Sequence, residues 1–222
     1  MHIGLIGGIG PAATEFYYRR LVQQCNAHDV QLELTIAHAD VRTLLRNLAS
    51  DARDQQADVF RRHVEQLAAA GAGVAAITSI AGHFCFDELE AASPLPLQSA
   101  LRSMDQYLNS RDLLRVGLLG SKVAMESKLY GAIRGVEVVV PQGDMLPAVS
   151  DEYFSMVAAQ EATAAQQELF FAAGEALMHE QGAEAVVLAG TDLFLAFDGA
   201  SPGFEVIDSA EVHVLSLVEL AR

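Results

Sequence analysis

The sequence predicts an α/β protein made of two similar lobes, each a parallel sheet flanked by helices. Three observations point to this fold class. Short apolar segments alternate with amphipathic ones, glycine turns follow several of the apolar segments, and the whole pattern recurs after about half of the chain. The chain has 222 residues, of which 51% are hydrophobic. This length suits two compact lobes of roughly 100 residues each.

The first half opens with an apolar run, a glycine turn and an amphipathic stretch, which together predict a strand, a turn and a helix. Pro11 suits the first turn of that helix, and Gly71 is placed to end the next one. The predicted strands are residues 3–6, 32–38 and 74–78, and the predicted helices are residues 12–25 and 57–70. The last of these strands is continuously apolar, as buried parallel strands are.

The second half repeats this order, and we interpret the repeat as an internal duplication. The predicted strands are residues 116–119, 136–140 and 185–188, and the predicted helices are residues 126–133 and 152–181. A final helix over residues 211–222 is expected to pack on the first lobe. The predicted domains are therefore residues 1–97 plus 205–222 and residues 98–204.

Composition narrows the possible partners. The formal net charge of −15 argues against nucleic acid, which would require a basic face. The apolar runs are too short or too interrupted by glycine to span a bilayer, and the N-terminus resembles a first strand more than a signal peptide. The two cysteines fit neither a disulfide scaffold nor a zinc motif. We expect a cytoplasmic protein with no metal and no membrane partner.

Four segments keep the order and spacing of known signatures. They are residues 7–14 (GGIGPAAT), 79–84 (SIAGHF), 118–121 (LLGS) and 188–192 (LAGTD). Together they resemble the aspartate/glutamate racemase superfamily, closest to its aspartate racemase branch, over essentially the whole chain. The resemblance implies two pseudo-twofold-related lobes with the ligand cleft between them, no cofactor, a small carboxylate or amino acid as ligand, and a homodimer.

The same resemblance exposes a chemical departure. The family uses two cysteines, one to remove a proton from the α-carbon and one to deliver a proton on the opposite face. Ser79 and Gly190 stand at these positions here. A serine hydroxyl needs a neighbouring base before it can act, and glycine has no side chain to offer. Two-cysteine racemisation is therefore not expected.

Four residues besides Ser79 remain as candidates for chemistry or binding. His83 could act as a base or proton relay for Ser79, or it could only brace the loop. Asp192 could be a general base or an N-cap, and Thr191 could bind a carboxylate. Cys85 could be a displaced nucleophile, although a cysteine between two phenylalanines is more often a small buried hydrophobe.

Backbone amides could still hold a carboxylate at the turns that follow the strands. The candidate substrate-binding residues are Gly8, Ile9, Gly10, Ile80, Ala81, Ser121, Gly190 and Thr191. Ile80 replaces the asparagine that the family carries after its first cysteine. Arg42 matches the family arginine that receives a side-chain carboxylate, or it is a solvated arginine at a helix start.

Three functions remain open from the sequence. The chain could be a divergent enzyme that binds a small carboxylate and uses Ser79, His83 and Asp192 for lyase, isomerase or hydrolase chemistry. It could be a catalytically inactive homologue that binds or senses such a ligand. It could also be a structural or regulatory partner of another enzyme.

Overall fold

The computed structural model describes residues 1–222, which divide into two compact units. The first lobe comprises Met1–Ser103 with Ala210–Arg222, and the second lobe comprises Met104–Ser209. Each contains a four-stranded parallel sheet with helices. The predicted α/β fold class is confirmed. None of the helices combines the length and the apolar character needed to cross a membrane.

The sheet of the first lobe is entirely parallel. Its strands are β1 (His2–Gly7), β2 (Glu33–His38), β3 (Val74–Ile77) and β4 (Leu97–Gln98). They lie in the order β2-β1-β3-β4, so β1 and β3 are the inner strands. Every residue of β3 is buried, as its unbroken apolar sequence predicts. The carboxyl ends of β1 and β3 therefore lie side by side at one edge of the sheet.

The first half contains five helices, of which the first and the third overlap the two predicted helices and the other three were not predicted. They are α1 (Pro11–Ala27), α2 (Val41–Ala49), α3 (Arg53–Ala69), α4 (Phe86–Ala92) and α5 (Ala100–Asn109). Pro11 occupies the first turn of α1, where its missing N–H costs no hydrogen bond. A 3₁₀ turn over Ala81–Cys85 separates the end of β3 from α4.

The sheet of the second lobe repeats the topology of the first. Its strands are β5 (Arg115–Gly120), β6 (Glu137–Val139), β7 (Ala185–Ala189) and β8 (Val206–Asp208). They lie in the order β6-β5-β7-β8 and are all parallel. The two sheets thus have equivalent strand orders, as an internal duplication predicts. The ends of β5 and β7 lie side by side, like those of β1 and β3.

The helices of the second half are α6 (Lys122–Glu126), α7 (Met145–Ala159), α8 (Ala164–His179) and α9 (Phe194–Phe197). The predicted helix over residues 126–133 is wrong. Lys128, Leu129 and Tyr130 have φ values of 51°, 55° and 56°, in the left-handed region. The Ser127 hydroxyl accepts the N–H of Tyr130 at 2.9 Å. This local bond favours a turn over a helix.

The single helix predicted over residues 152–181 is also wrong, because α7 and α8 are separate. Gln160 ends α7 in a left-handed conformation with a φ of 60°. Thr163 and Gln166 then form a capping box, in which each side chain accepts the backbone N–H of the other. The capping box satisfies N–H groups that would otherwise lack a partner at the start of α8.

The chain ends in α10 (Ser209–Ala221), which confirms the predicted final helix. From Ala210 onward it belongs to the first lobe. The Glu211 carboxylate accepts two bonds from the Arg20 guanidinium of α1, at 2.6 and 2.7 Å. The paired geometry holds α10 against α1 more specifically than a single contact would.

Candidate ligand-binding site

The glycine turn after β1 is held together by its own side chains. Gly8 donates its N–H to the Thr14 hydroxyl at 2.9 Å, and that hydroxyl donates to the carbonyl of Gly10 at 3.1 Å. Gly8 has a φ of 89°, and a Cβ there would lie 2.3 Å from Nδ1 of His38. The Gly8 amide is thus used within the turn, while Ile9 and Gly10 stand directly before α1.

The end of β3 presents a buried serine. The Ser79 hydroxyl oxygen accepts the N–H of Gly82, in the following 3₁₀ turn, at 3.4 Å, which is a long contact. Ile80 and Ala81 lie at the start of this turn. The Thr14 and Thr78 hydroxyl oxygens are 3.4 Å apart, which links the turn after β1 to the end of β3. The structure thus brings the residue 8–10 and 79–81 segments together in the first lobe.

His83 has no ring nitrogen left for the Ser79 hydroxyl. Its Nδ1–H donates to the carbonyl oxygen of Ser79 at 2.7 Å, and its Nε2 accepts the N–H of Ala100 at 3.1 Å. A carbonyl only accepts and an amide N–H only donates, so these two partners fix the tautomer. Burial lowers the pKa of His83 from 6.5 to about 4. This geometry supports the interpretation that His83 braces the loop.

A second buried histidine, which the sequence analysis did not single out, lies beside the first. The ring centroids of His213 in α10 and His83 are 6.3 Å apart. His213 donates through Nε2 to the Gln98 carbonyl at 3.1 Å, and its Nδ1 accepts the Tyr17 hydroxyl at 2.9 Å. Burial lowers its pKa to about 3. Only the tertiary structure brings these elements together, so no local sequence signal marks them.

Arg42 lies at the start of α2, where its guanidinium and backbone N–H both bind the Asp40 carboxylate. Asp40 is the N-cap of this helix. The Arg42 bonds lower the pKa of Asp40 to about 2. The Arg42 side chain is 84% exposed. This arrangement matches the interpretation of a solvated arginine at a helix start.

In the second lobe, Ser121 follows β5 and caps α6, since its hydroxyl accepts the N–H of Ala124 at 3.3 Å. Gly190, Thr191 and Asp192 follow β7, and the last two are 2% and 4% exposed. The Gly190 carbonyl accepts the N–H of Leu193 at 3.0 Å, which turns the chain into α9. The pairing of β5 with β7 brings Ser121 and these three residues to one edge of the second sheet.

Tyr153 of α7 lies directly against Gly190, and the sequence analysis missed it. A Cβ on Gly190 would lie 2.6 Å from Cε2 and Cζ of Tyr153 and 2.8 Å from its hydroxyl oxygen. Tyr153 is 9% exposed. Burial, followed by the nearby Asp192 charge, raises its pKa well above the usual value for tyrosine. One signal was present in the sequence: Gly190 stands where the family resemblance implies a cysteine, which leaves space for another group.

Neither cysteine is among the residues that follow the inner strands of the two lobes. Cys25 and Cys85 are both buried and unpaired, and burial raises the pKa of Cys85 to about 12. A buried neutral thiol is a poor nucleophile. The interpretation of Cys85 as a small buried hydrophobe is supported. No three His, Cys, Asp or Glu side chains lie together in a way that could hold a metal ion.

The chain is similar over nearly its whole length to a known protein family and to solved structures. A family model described as Asp/Glu/Hydantoin racemase matches residues 6–217. A structure of a candidate Asp/Glu racemase from Yersinia pestis has a TM-score of 0.85 and 23% sequence identity, over 100% of this chain and 99% of that one. An aspartate racemase homologue from Pyrococcus horikoshii OT3 has a TM-score of 0.81 and 26% identity, over 99% and 98%.

A more distant similarity comes from a structure with a bound ligand. Glutamate racemase from Francisella tularensis, in complex with D-glutamate, has a TM-score of 0.68 and 12% identity. The match covers 99% of this chain and 80% of that one. At this identity the likeness concerns the fold alone.

Proposed function

Because the chain belongs to the Asp/Glu/Hydantoin racemase family, we propose that it binds a small carboxylate or amino acid without racemising it through two thiols. In each lobe, the residues proposed to contact a ligand lie at the carboxyl ends of the inner strands, where α/β proteins commonly bind ligands. The description of the family model, which names aspartate, glutamate and hydantoin, supports this ligand class.

We infer the absence of proton transfer mainly from the two hydrogen bonds of the His83 ring. Both ring nitrogens of His83 are bound to backbone groups, one of them the carbonyl of Ser79 itself. The Ser79 hydroxyl therefore has no base from this histidine, and an alcohol without a base is a very weak proton donor or nucleophile. At the other position, Gly190 has no side chain. We accordingly favour the inactive ligand-binding homologue over lyase, isomerase or hydrolase chemistry by Ser79, His83 and Asp192.

The binding half of the site is better preserved than the proton-transfer half. Helix α1 begins directly after the glycine turn, and the N-terminus of a helix of this length attracts anions. Thr191 adds a hydroxyl next to Gly190 at the end of β7. With a net charge of −15, such local dipoles and hydroxyls have to provide the attraction for an anionic ligand. The homodimer, which the family resemblance implies, and the cytoplasmic location, expected from the sequence, stay proposals.

The proposal is tested by measuring binding and proton exchange on the same samples. Isothermal calorimetry with D- and L-aspartate, D- and L-glutamate, succinate and malonate should find at least one binder. In deuterated water, the α-hydrogen of a bound amino acid should exchange no faster than in buffer, as followed by NMR. Fast exchange that Ser79→Ala abolishes would instead establish Ser79 as a catalytic residue.

Arg42→Ala separates the two interpretations of this arginine. Since the guanidinium is exposed and paired with Asp40, we expect binding of aspartate and of succinate to change by less than about twofold, as for most surface ion pairs. The matched control is Arg53→Ala, which removes a similar exposed pair with Asp51. A selective loss of dicarboxylate binding in Arg42→Ala alone would show that Arg42 leaves Asp40 to bind the ligand.

A further inference from the structure

The phenol of Tyr153 lies at the end of β7, in the space that a side chain at position 190 would occupy. The Tyr153 ring and hydroxyl come within 2.6 to 2.8 Å of a Cβ placed on Gly190. Carbon atoms without a bond between them pack at about 3.5–4.0 Å. Tyr153 in its present position and any side chain at position 190 therefore exclude each other. The Tyr153 ring can take this position only because residue 190 is a glycine.

The hydroxyl of Tyr153 has the chemistry of a neutral hydrogen-bond donor. It lies close enough to Asp192 for the charge of that residue to raise the pKa of the phenol. The phenol proton remains on the oxygen, because burial and the charge of Asp192 both disfavour the phenolate. Such a group can donate to a carboxylate but cannot remove a proton from carbon.

Position and chemistry together suggest a role. We infer that Tyr153 contacts the ligand at the end of β7, and that its hydroxyl donates a hydrogen bond to a carboxylate oxygen in the place of the family's second thiol. The inference rests on the proposed function, because it needs a carboxylate at these strand ends. It makes Tyr153 a binding residue, and it explains why a glycine at position 190 is compatible with a functional site.

Tyr153→Phe tests the inference, because it removes the hydroxyl and keeps the ring. Calorimetry with whichever of the six probe compounds binds the wild type most tightly should show at least about tenfold weaker binding, as expected for loss of a hydrogen bond to a charged group. The matched control is Tyr17→Phe, which removes another buried tyrosine hydroxyl, the one bound to His213. That control should bind the probe as the wild type does.

The outcomes separate the two claims. If the wild type binds a probe and Tyr153→Phe binds it equally well, the role of Tyr153 is overturned while the proposed function stands. If the wild type binds none of the probes, both fall. If Tyr17→Phe weakens binding as much as Tyr153→Phe, the loss reflects general destabilisation, and the specific role of Tyr153 is again overturned. Circular dichroism confirms that both variants are folded.

Discussion

Replacing Gly190 with alanine is expected to lower the free energy of unfolding by about 3 kcal/mol, at the upper end of the usual range for overpacking a buried site. The added methyl group would lie 2.6 Å from two ring carbons of Tyr153. The ring is buried, so it has little room to move away. Urea unfolding followed by circular dichroism measures the change.

Two further variants identify the Tyr153 ring as the cause. In a Tyr153→Ala background, Gly190→Ala should cost almost nothing, because the ring that it would strike is gone; the double-mutant cycle gives the coupling directly. Gly73→Ala is the matched control, since its nearest contact would be an ordinary 3.5 Å from Met1. Equal losses from Gly190→Ala with and without the Tyr153 ring would contradict the steric account.

The first lobe is expected to lose stability as the pH falls below about 6.5, the usual pKa of histidine. His83 and His213 have pKa values of about 4 and about 3 in the folded chain, because burial disfavours their charged forms. The unfolded chain therefore binds more protons, so stability is fully present above pH 6.5 and is lost as the pH falls towards these values. By pH 5 the expected loss is about 2 kcal/mol for each histidine.

Urea unfolding at pH 7.5 and at pH 5 measures this loss. Carboxylates contribute little in this range, because their unfolded pKa values lie near about 4. His83→Gln and His213→Gln should each remove about half of the pH dependence, even if they also lower stability at pH 7.5. A pH dependence that neither substitution reduces would contradict the assignment of the neutral tautomers.

Much of the fold was predictable from the sequence because it depends on local patterns. The buried strands β3 and β7 are short, continuous apolar runs, and Pro11 marks the first turn of α1. The two errors also have local causes. Thr163 and Gln166 carry the Thr-x-x-Gln signature of a capping box, which predicts the start of α8. Gly131, inside the wrongly predicted helix, has a φ of 69°.

The site was less predictable, because its decisive contacts join distant segments. The positions of Ser79 and Gly190 at strand ends followed from motif order alone. The use of both His83 nitrogens depends on Ala100, at the start of α5. The phenol beside Gly190 belongs to α7, and no pattern in that helix distinguishes Tyr153 from a core tyrosine. Packing between elements decides such contacts.

Chiral separation of aspartate and glutamate after incubation with purified protein tests the central claim most directly. The account predicts that neither enantiomer is converted beyond the level of a buffer control. The Ser79 hydroxyl lacks a histidine base, and Gly190, at the position of the second thiol, lies against the neutral phenol of Tyr153. Conversion at an ordinary enzymatic rate, retained through successive purification steps and abolished by Ser79→Ala, would contradict it.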